Sequence, residues 1–210
     1  MRPRVIFNSA MSLDGRIKGR EEGVDFLSRL DRYRTHELRG SVDAIMVDID
    51  TILIDDPELG VRTPEGKEPY KVIIDSKAEI REEANILSGE GHKILVVSKE
   101  APRKKLEKLK KNIEHLEIIT CGEFAVNLSE LMDRLYDIPI RRMLLEGSGS
   151  LVKRMFNEDY IDELYITVVP TLIGKGAELF EKNFDKEIKL DLDGILQYGD
   201  QVVLHYLVRR

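Results

Sequence analysis

The pattern that most constrains this chain is an alternation of short apolar runs with helical segments, which then stops. "RVIFNSA", "DAIMV", "YKVIIDS", "HKILVVS", "LEIIT" and "IRRMLLEGSGS" each open as an apolar strand and pass into a turn or loop. Helical patterns lie between them. "SRLDRYRTHELRG" has Ser28 to cap it and Gly40 to end it. "PRKKLEKLKKN" carries Pro102 in its first turn, "NLSELMDRLYD" stops before Pro139, and "SLVKRMFNEDY" follows the last of the six runs. The rhythm then changes: "DELYITVVPTLIG", "EIKLDL" and "QVVLHYLVR" read as strands with no helix between them. Alternation implies right-handed crossovers and a mostly parallel central sheet with helices on both faces. The closing strands imply an antiparallel C-terminal edge. The expectation is an α/β fold in one domain, residues 1–210, for which 42% hydrophobic residues supply a sizeable core.

Composition removes several function classes. A net charge of −6 argues against general nucleic-acid binding. One cysteine, Cys121, excludes an internal disulfide framework and a multi-cysteine zinc site. No 18-residue apolar run is present, so no membrane span is expected. The apolar run of "MRPRVIFNSAMSLDG" breaks at Asn8, so a signal peptide is not expected, and a cytoplasmic protein is.

In open sheets of this kind ligands bind beyond the carboxyl ends of the strands, so the turns there hold the candidates. In "LLEGSGSLVKRMF", Gly147 and Gly149 permit close backbone approach, Ser148 and Ser150 offer hydroxyls, and the helix start offers N–H groups to an anion. By spacing alone a phosphate cradle and a plain turn with a serine N-cap both stay open. Glu146, at the strand tip, suits a ring N–H or amine, or else the adjacent loop. "VDIDTILIDDPEL" crowds four aspartates, Asp48, Asp50, Asp55 and Asp56, into nine residues. If the strand stays extended, Asp48 and Asp50 share one side. Pro57 pushes Asp56 into an extended or turn conformation. These acids can cap backbone N–H groups. No metal is expected: no D-x-D-x-D-G loop exists, and the four histidines are scattered at 36, 92, 115 and 205. "MSLDG" reads as a β-turn, Cys121 as structural, and "RKKLEKLKKN" as the wet face of a helix.

Taken together, "NSAMSLDGRI", "VDAIMVDIDTILIDDPELGVR", "KVIIDSK", "MLLEGSGSL" and "IDELYITVVPTLIGKG" resemble, in order and over nearly the whole chain, the reductases of riboflavin biosynthesis. These are the C-terminal reductase domain of the bacterial deaminase–reductase and its stand-alone archaeal and fungal counterparts. S-L-D-G, T-x-L-x-D-D-P-x-L and L-L-E-G-x-G-x-L are specific in combination. The resemblance implies a dihydrofolate-reductase-like fold and an NADPH-dependent reduction (NADH being the other nicotinamide) of a ribosylamino-pyrimidine phosphate. It implies that Thr51, Asp55, Ser76 and the loop Gly147, Ser148, Gly149, Ser150 and Leu151 face the cofactor. Asn8, Arg39, Leu59, Arg62 and Glu146 face the substrate by the same resemblance. Arg39 and Arg62 suit a phosphate because a guanidinium fork matches its oxygens. The family suggests no covalent nucleophile; Glu146 and Asp55 are the candidate catalytic groups. Catalysis is then mainly orientation of nicotinamide against the reacting carbon.

The deaminase signature H-x-E…P-C-x-x-C needs more cysteines than this chain has, so the stand-alone reductase is the nearer likeness. That form reduces before deamination, making 2,5-diamino-6-(ribosylamino)pyrimidin-4-one 5′-phosphate the expected substrate, and it is homodimeric. Members commonly read V-G-I-G-T where this chain has Asp48 and Asp50, and E-G-G-G where it has Ser148. The aspartates are expected to repel a dinucleotide phosphate. That departure sets two alternatives beside the first reading: another pyrimidine or pterin reductase of the same fold, and a nucleotide-binding relative without hydride transfer.

Overall fold

The computed structural model describes residues 1–17, 28–62, 68–147, 149–180 and 184–210. Along the chain the elements are β1 (Arg4–Ser12), α1 (Arg29–Gly40), β2 (Ala44–Asp48), α2 (Ile49–Asp55) and β3 (Tyr70–Ile74). They continue with α3 (Asn85–Ser88), β4 (Lys93–Val97), α4 (Arg103–Asn112), β5 (Leu116–Thr120) and α5 (Leu128–Asp137). Last come β6 (Arg142–Leu145), α6 (Ser150–Asn157), β7 (Ile161–Val169), β8 (Leu190–Tyr198) and β9 (Gln201–Val208). The chain divides into two compact units, Met1–Pro3 with His36–Leu144, and Arg4–Thr35 with Leu145–Arg210.

In the first unit the strand order is β5-β4-β3-β2-β6. The β2–β3, β3–β4 and β4–β5 pairs are all parallel. Every residue of β2 and β4 is buried, the mark of parallel strands covered on both sides. Helix α5 buries Leu128, Leu131, Met132 and Leu135, an i, i+3, i+4, i+7 stripe, and Asn127 caps it by accepting from Glu130 N. Pro102 is the N-cap of α4, one residue outside the first turn.

In the second unit the order is β1-β7-β9-β8, with β1–β7 parallel and β7–β9 and β9–β8 antiparallel. The expected antiparallel edge is present. Its last strand is longer than "EIKLDL" implies: it passes a register shift at Leu192/Gly194 and continues to Tyr198. Helix α6 buries Leu151, Val152, Met155 and Phe156. Phe156 meets Phe7, Phe180 and Phe184 at centroid distances of 5.9, 5.8 and 5.6 Å, all near-perpendicular. Such edge-to-face pairs add about 0.5–1.5 kcal/mol each beyond area burial.

Two helices were not expected, the four-residue α3 and the longer α2. "DAIMV" was expected to pass into a turn or loop; instead the strand ends at Asp48 and α2, "IDTILID", starts at the next residue. The cause is capping. The Asp48 carboxylate accepts from Thr51 N at 2.8 Å, satisfying a donor that the helix start leaves open.

Candidate active site

The first unit places its candidates at the level carboxyl ends of its parallel strands. Asp48 pairs with Ile74, Ile74 with Val96, and Val97 with Thr120, so the turns that follow share one edge. Thr51 is half-buried in the first turn of α2. Ser76 is half-buried: its Oγ accepts from Val126 N at 3.1 Å, which leaves its O–H to donate. Its carbonyl accepts from Ser98 N at 3.0 Å and Ser98 Oγ at 2.7 Å. Asp75 beside it is fully buried, its two oxygens accepting from Glu79 N and Ile80 N at 2.8 Å each. This aspartate was not singled out in the sequence, although it sits in the "DSK" turn.

The acids of "VDIDTILIDD" do not share a side. Asp48 is 6% exposed and turned onto the Thr51 backbone and hydroxyl, whereas Asp50 is exposed on the first turn of α2. The expectation of two charges aligned along an extended strand is therefore corrected: the helix begins too soon for a period of two. Burial raises the Asp48 pKa above its usual value, the Thr51 contacts opposing it in part. Asp55 ends α2 and is exposed. Asp56 is the C-cap, with φ 41° and ψ 54°, because Pro57 bars it from the right-handed helix. Neither an extended strand nor an ordinary turn describes it. Its side chain accepts from Asn85 N at 2.9 Å, which ties the end of α2 to α3.

Three expected substrate residues converge in this unit. Arg39, in the last turn of α1, donates to the Gly60 carbonyl at 3.3 Å, which brings it onto the Leu59–Arg62 segment. Leu59 is 5% exposed with φ 54°, a conformation that costs a non-glycine residue of order 1–3 kcal/mol. Arg62 is exposed and pairs with Glu58 at 3.0 Å. Close by is a cation that the sequence did not reveal. Lys71 is 1% exposed; burial lowers its pKa, with Glu68 and Glu58 opposing and Lys93 and Arg39 adding to the lowering.

The second unit carries the rest. Glu146 follows β6 and is half-buried. Gly147 has φ 115° and Gly149 φ 79°, backbone conformations that favour glycine. Gly149, not a serine, is the N-cap of α6, with no side-chain hydrogen bond to the first turn. Ser150 opens the helix exposed, and Leu151 is buried. Ser148 lies outside the described residues. Gly149 has no side chain with which to cap the helix, so the first N–H groups of α6 are donors that an anion can take. Asn8 lies on β1, 8% exposed, with its Oδ1 2.9 Å from Arg34 Nη2. Arg34, Asp31 and Thr167 complete that cluster and were not expected from sequence.

Two other motifs have structural duties. In "MSLDG", Asp14 accepts from Ser12 Oγ at 2.6 Å, Ile173 N at 3.0 Å and Gly174 N at 2.7 Å. The Ser12 bond first, then the two N–H groups, hold its pKa down to about 2. Cys121 is 1% exposed, and burial, with Glu130 adding, pushes its thiol up to about 11, so it is inert as a nucleophile. Among the described residues no group of three or more His, Cys, Asp or Glu is arranged to hold a metal. No described helix is long and apolar enough to cross a membrane.

Comparison with known proteins bears on the whole chain. It is 32% identical over 219 residues to the 2,5-diamino-6-ribosylamino-4(3H)-pyrimidinone 5′-phosphate reductase of Methanothermobacter thermautotrophicus, covering 100% of both chains. It is 36% identical over 185 residues to the protein of the same name from Archaeoglobus fulgidus, covering 83% of each. Among solved structures, RibD of Acinetobacter baumannii matches with a TM-score of 0.83 at 24% identity. That match covers 99% of this chain and 58% of the other, and shows the fold. A family model, the RibD C-terminal domain, matches residues 3–204. By that match and these relatives, the chain belongs to the RibD C-terminal domain family.

Proposed function

We propose that this protein is a cytoplasmic reductase of riboflavin biosynthesis, its whole chain working as one reductase domain. Its substrate is 2,5-diamino-6-(ribosylamino)pyrimidin-4-one 5′-phosphate and its product the ribitylamino compound. The observation that carries the reading is the end-to-end likeness to an archaeal relative of that name, 32% identical over 100% of both chains. When bound, NADPH supplies a hydride to the ribose-derived carbon of the ring-opened imine, whose nitrogen takes up a proton.

The residues have distinct tasks in this proposal. The glycine-capped start of α6, with Gly147, Gly149, Ser150 and Leu151, holds a cofactor phosphate, as does Ser148. Thr51, Ser76 and Asp55 give the cofactor its remaining polar contacts. Arg39 and Arg62 take the substrate phosphate, and the buried Lys71 adds positive potential there. Leu59, held by burial in a strained conformation, packs against the substrate. Glu146 accepts from the amino-pyrimidine edge, and Asn8 contacts the substrate from β1. No covalent intermediate is needed; rate comes from orientation of the reacting carbon.

The protein acts as a homodimer in this proposal, through the outer edge of the second unit. Leu190, Leu192 and Ile195 of β8 are 38%, 54% and 58% exposed and lie opposite Val208, Tyr206 and Leu204 on one face. An apolar edge strand of this kind is covered in solution or aggregates. Sedimentation of wild type and Ile195→Asp tests the assembly.

The test of function is direct: purified protein oxidises NADPH when given the diamino substrate. Absence of turnover with NADPH or NADH, in folded protein that binds the substrate, overturns the reading.

A further inference from the structure

The cluster around Arg34 fixes the polarity of a residue in the proposed substrate site. Arg34 is 8% exposed on α1. Its Nε donates to Asp31 Oδ1 at 2.7 Å. Its Nη2 donates to Asn8 Oδ1 at 2.9 Å and to Thr167 Oγ1 at 3.4 Å. Thr167 Oγ1 in turn lies 3.0 and 3.1 Å from the two oxygens of Asp31, to which it gives its single hydrogen. Every direction in this chain is settled. A guanidinium only donates and an aspartate paired with it only accepts, so Thr167 donates to Asp31 and accepts from Arg34. The atom of Asn8 that meets Arg34 must then be its carbonyl oxygen. What Asn8 has left is its amide –NH2, which finds no acceptor among the described residues.

A second observation is independent of that chain. Arg34 Nη1 is buried with no hydrogen-bond partner among the described residues. An unpaired buried donor destabilises a fold, and well-packed apolar residues often replace a buried ion pair without loss. The cluster is thus a poor stabilising device. What it supplies is a definite orientation of Asn8, 8% exposed and held on three elements, β1, α1 and β7.

We propose that Arg34 is a positioning residue, which turns the Asn8 amide so that its –NH2 donates to an acceptor oxygen of the substrate. This rests on the reading of Asn8 as a substrate contact. The oxygen is a carbonyl or hydroxyl, since either offers a lone pair; an amine or a ring N–H at that point meets donor against donor. A site built this way discriminates against an analogue that lacks the acceptor, because the Asn8 donor is then left unpaired.

The experiment is a double-mutant cycle in kcat and KM with the diamino substrate and NADPH, each variant checked for folding by circular dichroism. Asn8→Ala and Asn8→Asp each lose roughly tenfold or more in kcat/KM, since both remove the donor and Asp keeps the bond from Arg34. Arg34→Met loses a similar factor in the wild-type background and nothing further in Asn8→Ala, because its effect on the substrate passes through that amide. Wild-type protein without turnover sinks the proposed function itself. Unaltered kinetics in Asn8→Ala, with wild type active, sinks only the placement of Asn8 and the inference with it. An Asn8→Asp variant as active as wild type, beside an impaired Asn8→Ala, overturns the donor polarity. Equal losses from Arg34→Met in both backgrounds overturn the positioning role. If Arg34→Met does not fold, the Asn8→Asp comparison still decides the polarity, with Arg34 intact.

Discussion

Asp48 gives a prediction in which charge and capping separate. Its carboxylate caps α2 through Thr51 N, and it is 6% exposed, so it is at once a good cap and a poor place for a charge. Asp48→Asn keeps the oxygen that Thr51 N needs, since Asn and Asp cap about equally well, and removes the buried charge. Burial raises the folded-state pKa above the ordinary 3.8. The sign follows: a carboxyl with a raised folded pKa contributes stability that is present in full below 3.8 and lost as pH rises through the folded value. The stability difference between Asp48→Asn and wild type therefore shifts in favour of Asn from acid to neutral pH. Below 3.8, where the charge is absent, only the cap matters. There Asp48→Ala falls about 1 kcal/mol below wild type, and Asp48→Gly a few tenths. For a chain of this size 1 kcal/mol is about 2–4 °C in Tm. Paired thermal melts followed by circular dichroism, at one acid and one neutral pH, read both effects. If the Asn variant instead loses ground as pH rises, the ionised carboxylate is stabilised in the fold. The helix dipole and Thr51 then outweigh burial, and the reasoning fails.

Three further outcomes are expected. Glu146→Gln keeps shape and removes charge, and kcat/KM with the diamino substrate falls by about 1.5–3 kcal/mol, roughly tenfold to a hundredfold or more; an unchanged value makes Glu146 structural. Arg62→Ala raises KM steeply for the phosphorylated substrate and little for one lacking the phosphate, because the exposed Glu58 pair is weak and easily exchanged; equal losses on both argue against a phosphate contact. Gly122→Ala brings a Cβ to 2.0 Å from the Ala125 carbonyl and 2.8 Å from Asn127 N, at φ 83°, so melting shows a loss of at least about 1–3 kcal/mol; wild-type stability there means the turn rearranges freely.

The strands were legible because burial on both faces leaves little but β-branched and aliphatic residues in them, as in β2 and β4. Boundaries were harder wherever a side chain, not a period, sets the end. Helix α2 is the clearest case. Its isoleucines favour a strand, and only the Asp48-x-x-Thr51 spacing, an N-cap followed by the N–H it binds, marked a helix start. Helix α3, four residues long, is too short to show a period. Strand β8 was cut short because the irregularity at Leu192/Gly194 breaks the alternation that identifies a strand, though pairing with β9 resumes beyond it.

The candidate site was legible to the extent that it lies in turns after strands, where Ser76 and Glu146 stand beside their own β-strands. It was hidden where a group depends on partners far away in the chain. Asp31 and Arg34 are three apart on a helix, a spacing that in an exposed pair is worth a few tenths of a kcal/mol and marks no site. Only the fold reveals that Asn8 and Thr167 close over them, 26 and 133 residues from Arg34. Lys71 is the same lesson with opposite chemistry. In "YKVIIDS" nothing in the linear pattern sets the lysine apart, yet it is 1% exposed. Desolvation lowers its pKa, and while the ammonium is charged the attraction it offers an anion is less screened than a surface lysine's. Polar groups of this kind carry no periodic signal. Their position is set by which strands become neighbours, and adjacency is the property that a linear reading resolves last.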